Sequence, residues 1–311
     1  MSSKKRFKSF KSNNIDEEIK LTPDRKSESQ YINWFPGHMN KAIKQIKSKL
    51  KLVDIILEIR DARVPEISKN MALDEAISGK LRIILFNKNN LADPITTQKW
   101  KIFYEKSKEK YIFTNALDKN SIDHILEETK KYIEENYQIE NPEGQRNKKI
   151  TMMIIGLPNT GKSTFINRLS GRNAARTANK PGYTQSQQWI KIDQNIELLD
   201  TPGIMPPKIN SMEDGLKLCA IFAIPSKIVP DETTACFLLK FLTENYPFLI
   251  EQRYGFSPIG MDFLESLDEI GTRRNCILKK AEIDYEKVYK IILTDFRDGR
   301  LGKVSLESPK P

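Results

Sequence analysis

The stretch GLPNTGKS, residues 156–163, has the residue types and spacing of a phosphate cradle. Its glycines let successive backbone N–H groups turn toward one anion, and a helix starting at its end adds a partial positive charge. In that arrangement the contacts to the phosphates come from Asn159, Thr160, Gly161, Lys162, Ser163 and Thr164. Lys162 reaches the β- and γ-phosphates, and the Ser163 hydroxyl ligates Mg²⁺. Downstream, DTPG at residues 200–203 offers Asp200 to hold the same Mg²⁺ through water and the Gly203 N–H to meet a γ-phosphate. Between them KPGYT offers Thr184 as a second hydroxyl on the metal. With glycine near 7% of residues, a chance match to the cradle in a chain this long is on the order of one in a hundred. An apolar run before it and a helical pattern after it lower those odds further.

A second constellation reads a base. Asn-Lys-x-Asp is the usual guanine-reading motif of GTP-binding proteins, and here NKNN, residues 87–90, follows an apolar run. TNA, residues 114–116, follows the next run and matches the loop in which Asn115 and the Ala116 N–H cap guanine O6. Both precede the phosphate cradle, and no Asn-Lys-x-Asp follows DTPG. A sheet can assemble whatever the chain order if the termini lie close together. The order therefore reads as a circularly permuted GTPase.

The fourth position is Asn90 where an aspartate is usual. Aspartate accepts from both N1–H and the 2-amino group of guanine, whereas an amide accepts at one atom and faces a donor with the other. The difference is worth about 2–4 kcal/mol. Xanthine carries an oxygen at that position and suits an amide. Either Asn90 weakens GTP binding and relaxes base choice, or the loop shifts and Asn87, Lys88 and Ala116 suffice. Asp93 is too far along to substitute without rearrangement.

These loops need a sheet to carry them. VDIILEI, RIILF, YIFTNA, ITMMIIG, WIKI and IELLD read as strands, with helical patterns near 121–136 and from Ser163 onward between them. Strand and helix in alternation imply an α/β fold with a mostly parallel sheet and helices on both faces. Ahead of it, residues 39–51 place Ala42, Ile43, Ile46 and Leu50 on one helical face and Lys41, Lys44, Lys47 and Lys51 on the other. Beyond Pro207 the pattern turns helical, at 213–224, 233–243 and 284–296, without a clear strand. The division expected is a disordered basic tail over 1–30, a permuted G domain over 31–207 and a small all-helical domain over 208–311.

Charge is unevenly placed. Of a net +10, residues 1–51 carry 13 Lys/Arg against 5 Asp/Glu, while residues 208–311 carry 15 against 16. A basic tail and a basic helix suit a polyanion, RNA above all. Within 208–311 the local cations are Arg273–Arg274, Lys279–Lys280 and the group Arg297, Arg300 and Lys303; an RNA-binding domain and a plain helical packing domain both remain open there. No apolar run approaches the roughly 18 residues of a membrane span. Cys219, Cys236 and Cys276 are widely spaced and fit neither a disulfide framework nor a zinc site, so they are expected reduced in the core of a cytoplasmic protein.

The stretches NWFPGHMNKA, EIRDARVP, FNKNNLADP, GLPNTGKSTFINRL, KPGYTQSQQWIKI, LLDTPGIMPP and DFRDGRLGKVSLESP together resemble the ribosome biogenesis GTPase A family (RbgA, also YlqF), which has mitochondrial relatives. They span about residues 31–308. The resemblance implies a GTP-hydrolysing factor of large-subunit assembly, with a helical RNA-binding domain, that the subunit and its rRNA stimulate. A monomer that uses GTP/GDP, Mg²⁺ and K⁺ and works at the ribosome in the cytoplasm is the expectation, with the mitochondrial matrix as the alternative compartment. Where many GTPases carry a water-orienting glutamine this chain has Ile204, which cannot polarise water. The resemblance assigns that work to His38; read on its own, a histidine at a turn is more often structural. It also gives Asn159 as a K⁺ ligand, where the residue alone fits a turn equally well. Two other functions compete: a scaffold of ribosome assembly with an impaired nucleotide pocket, and a P-loop enzyme acting on tRNA or another nucleic acid.

Overall fold

Three apolar clusters packed on the faces of a single sheet organise the chain, two large ones and a smaller one around Phe86, Trp100 and Tyr104. The computed structural model describes residues 37–140, 149–171, 188–206, 209–279 and 281–310, all within one compact unit, Tyr31–Pro311. The expected tail over 1–30, Thr184 and the side chain of His38 lie outside the described residues.

Helix α1 (Gly37–Lys49) leads into strand β1 (Ile55–Asp61). Then come a short α2 (Asp74–Ile77), β2 (Leu81–Asn87), α3 (Pro94–Glu105), β3 (Lys110–Phe113) and α4 (Lys119–Glu140). Strand β4 (Ile150–Gly156), α5 (Lys162–Leu169), β5 (Gln188–Lys191) and β6 (Ile196–Asp200) complete the sheet. Five helices follow: α6 (Met212–Ala220), α7 (Asp231–Asn245), α8 (Pro247–Tyr254), α9 (Phe263–Arg273) and α10 (Tyr285–Arg297).

The six strands run in the order β3-β2-β1-β4-β6-β5. Every neighbouring pair is parallel except β5–β6, an antiparallel edge hairpin. Central β1 is buried along its whole length, as a strand covered on both faces must be. Its alternation sorts side chains to the two cores. Ile55, Leu57 and Ile59 join Met152 and Ile154 beneath α4 and α5, through Ile122, Ile125, Phe165 and Ile166. Ile56, Met153, Ile155 and Leu199 face the other way and share one core with α1 and the C-terminal helices, through Ile46, Leu216, Leu239 and Leu293. The strands stop at Asp200, and the helices beyond continue the packing of the sheet.

The basic helix has the two faces its spacing implies. Ala42, Ile46 and Leu50 are buried, while Lys41, Lys44 and Lys47 are exposed. The helix expected over 213–224 is shorter: α6 ends at Ala220, because Phe222 takes a left-handed φ of 64° and turns the chain. Four helices, α2, α3, α8 and α9, lie outside the helical patterns of the sequence, and the last two carry clear start signals. Helix α8 begins on Pro247 at its N1 position, and α9 carries a full capping box between Asp262 and Glu265.

After α10 the chain returns across the sheet as an extended strap. Leu306 N–H donates to Arg63 O at 2.9 Å, and Trp100 Nε1–H donates to Glu307 O at 3.1 Å. The Glu307 carboxyl accepts from the Glu66 and Ile67 amides at 2.9 and 3.2 Å. Burial nevertheless pushes this carboxyl up from 4.5 to about 7. A group whose pKa is raised by folding stabilises the fold below its unfolded pKa and loses that contribution as pH rises through the folded one. Glu307→Gln, neutral at all pH, is therefore expected to be more stable than the parent by about 1–2 kcal/mol at pH 8 and equal to it near pH 4. Urea midpoints at the two pH values check this, and an equal offset at both would refute it.

Candidate functional site

Because β1, β2, β3, β4 and β6 are all parallel, their C-terminal ends lie along one edge of the sheet. Those ends are Asp61, Asn87, Phe113, Gly156 and Asp200, and NKNN, TNA, the phosphate loop and DTPG each begin at or just after one of them. Ligands of open α/β sheets bind at this edge. The permuted order of the chain disappears in space: β1 alone separates β2, which carries the base-reading loop, from the phosphate-binding strand β4.

The base-reading loop is tied directly to the phosphate loop. Asn87, 3% exposed, donates from Nδ2 to Thr160 O at 2.8 Å and accepts at Oδ1 from the Ala116 N–H at 2.8 Å. One side chain therefore fixes the spacing of all three loops. The same contact shows why residue 161 is glycine. It sits at φ 101°, and a Cβ there would lie 2.2 Å from Asn87 Nδ2. The Ala116 N–H expected to cap the base is the one Asn87 holds, so a base oxygen there would share that donor. Asn115 turns inward on its own loop, its Oδ1 accepting from the Leu117 N–H at 3.0 Å.

Lys88 takes a left-handed φ of 61° and reaches back to Asn159 O at 2.7 Å and Asp61 Oδ2 at 2.8 Å. Asp61 is fully buried and also accepts two bonds from Arg63, at 2.9 and 2.8 Å. Burial opposes charge on Asp61, but the Arg63 guanidinium and the Lys88 ammonium outweigh it and hold the carboxyl far below the usual carboxylate range. Asp61 and Arg63 were not singled out from the sequence. The signal was present, since an Asp-Ala-Arg at the end of an apolar strand places two charges where burial demands that they pair.

Asn90 lies exposed in a 3-10 turn, Asn89–Leu91. Asp93 cannot stand in for the missing aspartate, because its carboxylate caps α3, accepting from Ile95 N–H, Thr96 N–H and the Thr96 hydroxyl.

In the phosphate loop, Lys162 is 7% exposed and donates to Gly156 O at 3.1 Å and Leu157 O at 2.7 Å. Gly203 approaches so closely that a Cβ on it would lie 2.8 Å from Pro158 Cα and 3.1 Å from Lys162 Nζ. Burial pushes the Asp200 carboxyl up and the Lys162 ammonium down, each opposed by the other's charge. Both Asp200 carboxylate oxygens are buried without a hydrogen-bond partner among the described residues. An orphaned carboxylate on the sheet edge that carries the phosphate loop suits Mg²⁺, which is commonly held by one or two carboxylates plus substrate phosphates. Asn159, at φ 58°, donates from Nδ2 to Phe222 O at 2.7 Å, so its oxygen is the amide atom left for a cation.

The segment after DTPG meets the start of α1. Ile204 is fully buried, and Met205 N–H points at Met39 Sδ, 3.4 Å away. His38 immediately precedes Met39 in the first turn of that helix.

Of the expected cationic patches, Arg297 turns inward, donating to Cys219 O and Ala220 O at 2.9 Å each and lying over the Phe222 ring. The free carbonyls at the end of α6 and an aromatic face are a better match for a guanidinium than solvent. Arg274 is likewise engaged, over the Tyr254 ring. Lys279 and Lys303 remain exposed.

A family model described as a 50S ribosome-binding GTPase matches residues 151–229. The chain is 41% identical over 282 residues to the ribosome biogenesis GTPase A of Priestia megaterium, covering 89% of this chain and 97% of that one. It is 39% identical over 279 residues to the protein of the same name from Bacillus pumilus, covering 90% and 99%. Among solved structures it is similar to GNP-bound YlqF from T. maritima, with 28% identity and a TM-score of 0.62 over 87% of this chain and 99% of that one.

Proposed function

The chain belongs to the ribosome biogenesis GTPase A family and is a GTPase, and from that premise we propose that it acts in assembly of the large ribosomal subunit, bound to its rRNA and stimulated by it. The observation that carries this reading is the convergence of the phosphate loop, Asp200 and the Asn87-bridged base loops on one sheet edge. A decayed pocket, as the scaffold reading requires, would have no reason to keep Gly161 and Gly203 in positions where any side chain collides. The exposed lysines of α1 are the cationic surface for rRNA.

In this mechanism Lys162 leaves the carbonyls of its own loop for the β- and γ-phosphates, and the N-terminus of α5 faces the same anion. Ser163, Thr184 and Asp200 hold Mg²⁺, which supplies charge neutralisation on the phosphates. The backbone of Thr160, Gly161 and Thr164 completes the cradle, and the Gly203 N–H meets the γ-phosphate. Asn87, Lys88, Asn115 and Ala116 hold guanine, with Asn90 as the departure that lowers affinity. Asn159 would hold K⁺, which would supply the positive charge that an arginine finger otherwise provides. His38 orients the attacking water, from a helix start that the contact of Met39 with Met205 places against the segment following DTPG. The protein works as a monomer at ribosomes in the cytoplasm; no helix among the described residues is long and apolar enough to cross a membrane.

One experiment tests the reading. GTP hydrolysis is followed with and without purified large subunits, in K⁺ and in Na⁺ buffer, beside a titration of GDP, XDP and ADP into the parent and Asn90→Asp. Stimulation by subunits in K⁺ only, and tighter GDP binding by about thirtyfold to a thousandfold in Asn90→Asp, are expected. An equal rate in Na⁺ would remove the K⁺ role. A lack of subunit stimulation, or preference of the parent for XDP, would move the scaffold reading ahead.

A further inference from the structure

We propose that the strap over residues 299–307 is the positioning element of the base-reading loop, with Ser305 as its positioning residue, so that guanine affinity depends on how firmly the strap is seated. The inference rests on the guanine-reading role proposed for residues 87–90.

The loop has little to hold it. Lys88 is left-handed, Asn89 N–H donates to Thr114 O at 3.0 Å, and the next residues form a single 3-10 turn with Asn90 exposed. A sheet ladder supports Asn87 and a helix supports residues from Pro94 onward, but residues between them depend on outside partners. Those partners come from the strap. Leu91 O accepts from the Val304 N–H at 3.0 Å, and Asp93 N–H donates to Ser305 Oγ at 3.1 Å. The two bonds bracket the exit of the loop, one and three residues past Asn90. Gly299 packs on the same place, where a Cβ would stand 2.6 Å from Leu91 Cδ2.

The strap is itself anchored at several points and buried where it touches the loop. Val304, Ser305 and Leu306 are 1%, 4% and 2% exposed. The Tyr246 hydroxyl donates to Ser305 O at 3.2 Å, tying the strap to the turn between α7 and α8. Leu306 N–H holds Arg63 O, and Arg63 braces the Asp61 that receives Lys88. Strap and nucleotide loop are thus coupled twice, through Leu91–Asp93 and through Arg63–Asp61–Lys88. A base contact placed wrongly by an ångström is largely lost. By linkage, a nucleotide that needs the loop in one position must also stabilise the strap that holds it there.

Hydrogen exchange and a binding series test this together. In the wild-type protein, GDP is expected to slow exchange of the Val304 and Leu306 amides severalfold, alongside residues 87–91 and 114–116. Ser305→Ala is expected to raise the GDP Kd about tenfold while leaving the Kd for inorganic tripolyphosphate, which engages the phosphate loop alone, within twofold of wild type. Protection of the loops without protection of the strap would overturn the proposal and spare the site assignment. Equal losses for GDP and tripolyphosphate would also overturn it, as a general structural effect. Absence of protection at 87–91 and 114–116 would remove the site assignment and the strap's role with it.

Discussion

Replacing His38 with alanine is expected to lower subunit-stimulated GTP turnover by about a hundredfold to a thousandfold while leaving GDP affinity unchanged. Catalysis of phosphoryl transfer to water needs a group that orients the nucleophile. The position after Gly203 holds Ile204, fully buried in the core shared by the sheet and the C-terminal helices, so nothing polar reaches the site from there. The helix that starts at Gly37 approaches from the other side, and its Met39 touches Met205, two residues beyond Gly203. An imidazole one residue before Met39 is the titratable side chain best placed in sequence to serve. In the role proposed for it, this group meets the γ-phosphate's attacker and not the diphosphate, so its loss should appear in kcat alone. Single-turnover hydrolysis with saturating subunits, beside a GDP titration, separates the two. Wild-type turnover in the variant would place the water-orienting group elsewhere.

Asp61→Ala is expected to destabilise the fold by about 3–5 kcal/mol, the usual cost of removing one partner from a buried ion pair. The carboxylate is fully buried and faces two cations, Arg63 and Lys88. Without it their charges stand together, with the Arg63 guanidinium buried over the Phe296 ring. Lys88 would also lose one of its two anchors, so GDP affinity should fall in the same variant. Urea unfolding measures the first effect and nucleotide titration the second. A loss below about 1 kcal/mol would mean that water reaches the pair and that burial has been overstated.

Local signals carried most of the site. Gly156, Gly161 and Lys162 were legible because a phosphate cradle constrains backbone and side chain within eight consecutive residues. The faces of α1 were legible because helical period alone sorts Ala42 and Ile46 from Lys41 and Lys44. The start of α9 was also legible: Asp262 followed three residues later by Glu265 is a capping signature, and it was passed over. What local reading could not supply were partners distant in the chain. Nothing near Arg297 says that it will lie over Phe222, and nothing near Ser305 names Asp93. The left-handed turn at Phe222, which shortens α6, follows from that distant demand as well. A bulky residue adopts such a φ only when tertiary packing holds it there.

The strap has a further consequence, for the order in which the protein is made. Synthesis delivers the base-reading strands first, the phosphate loop later and the strap last of the three. The bond from Asp93 to Ser305 closes a loop of 212 residues. Contacts of such separation form late and slowly. A nascent chain that has displayed β1 to β6 outside the exit tunnel still lacks the piece that fixes its base-reading loop. With the strap in the positioning role proposed for it, full guanine affinity is withheld until residues 304–306 have emerged.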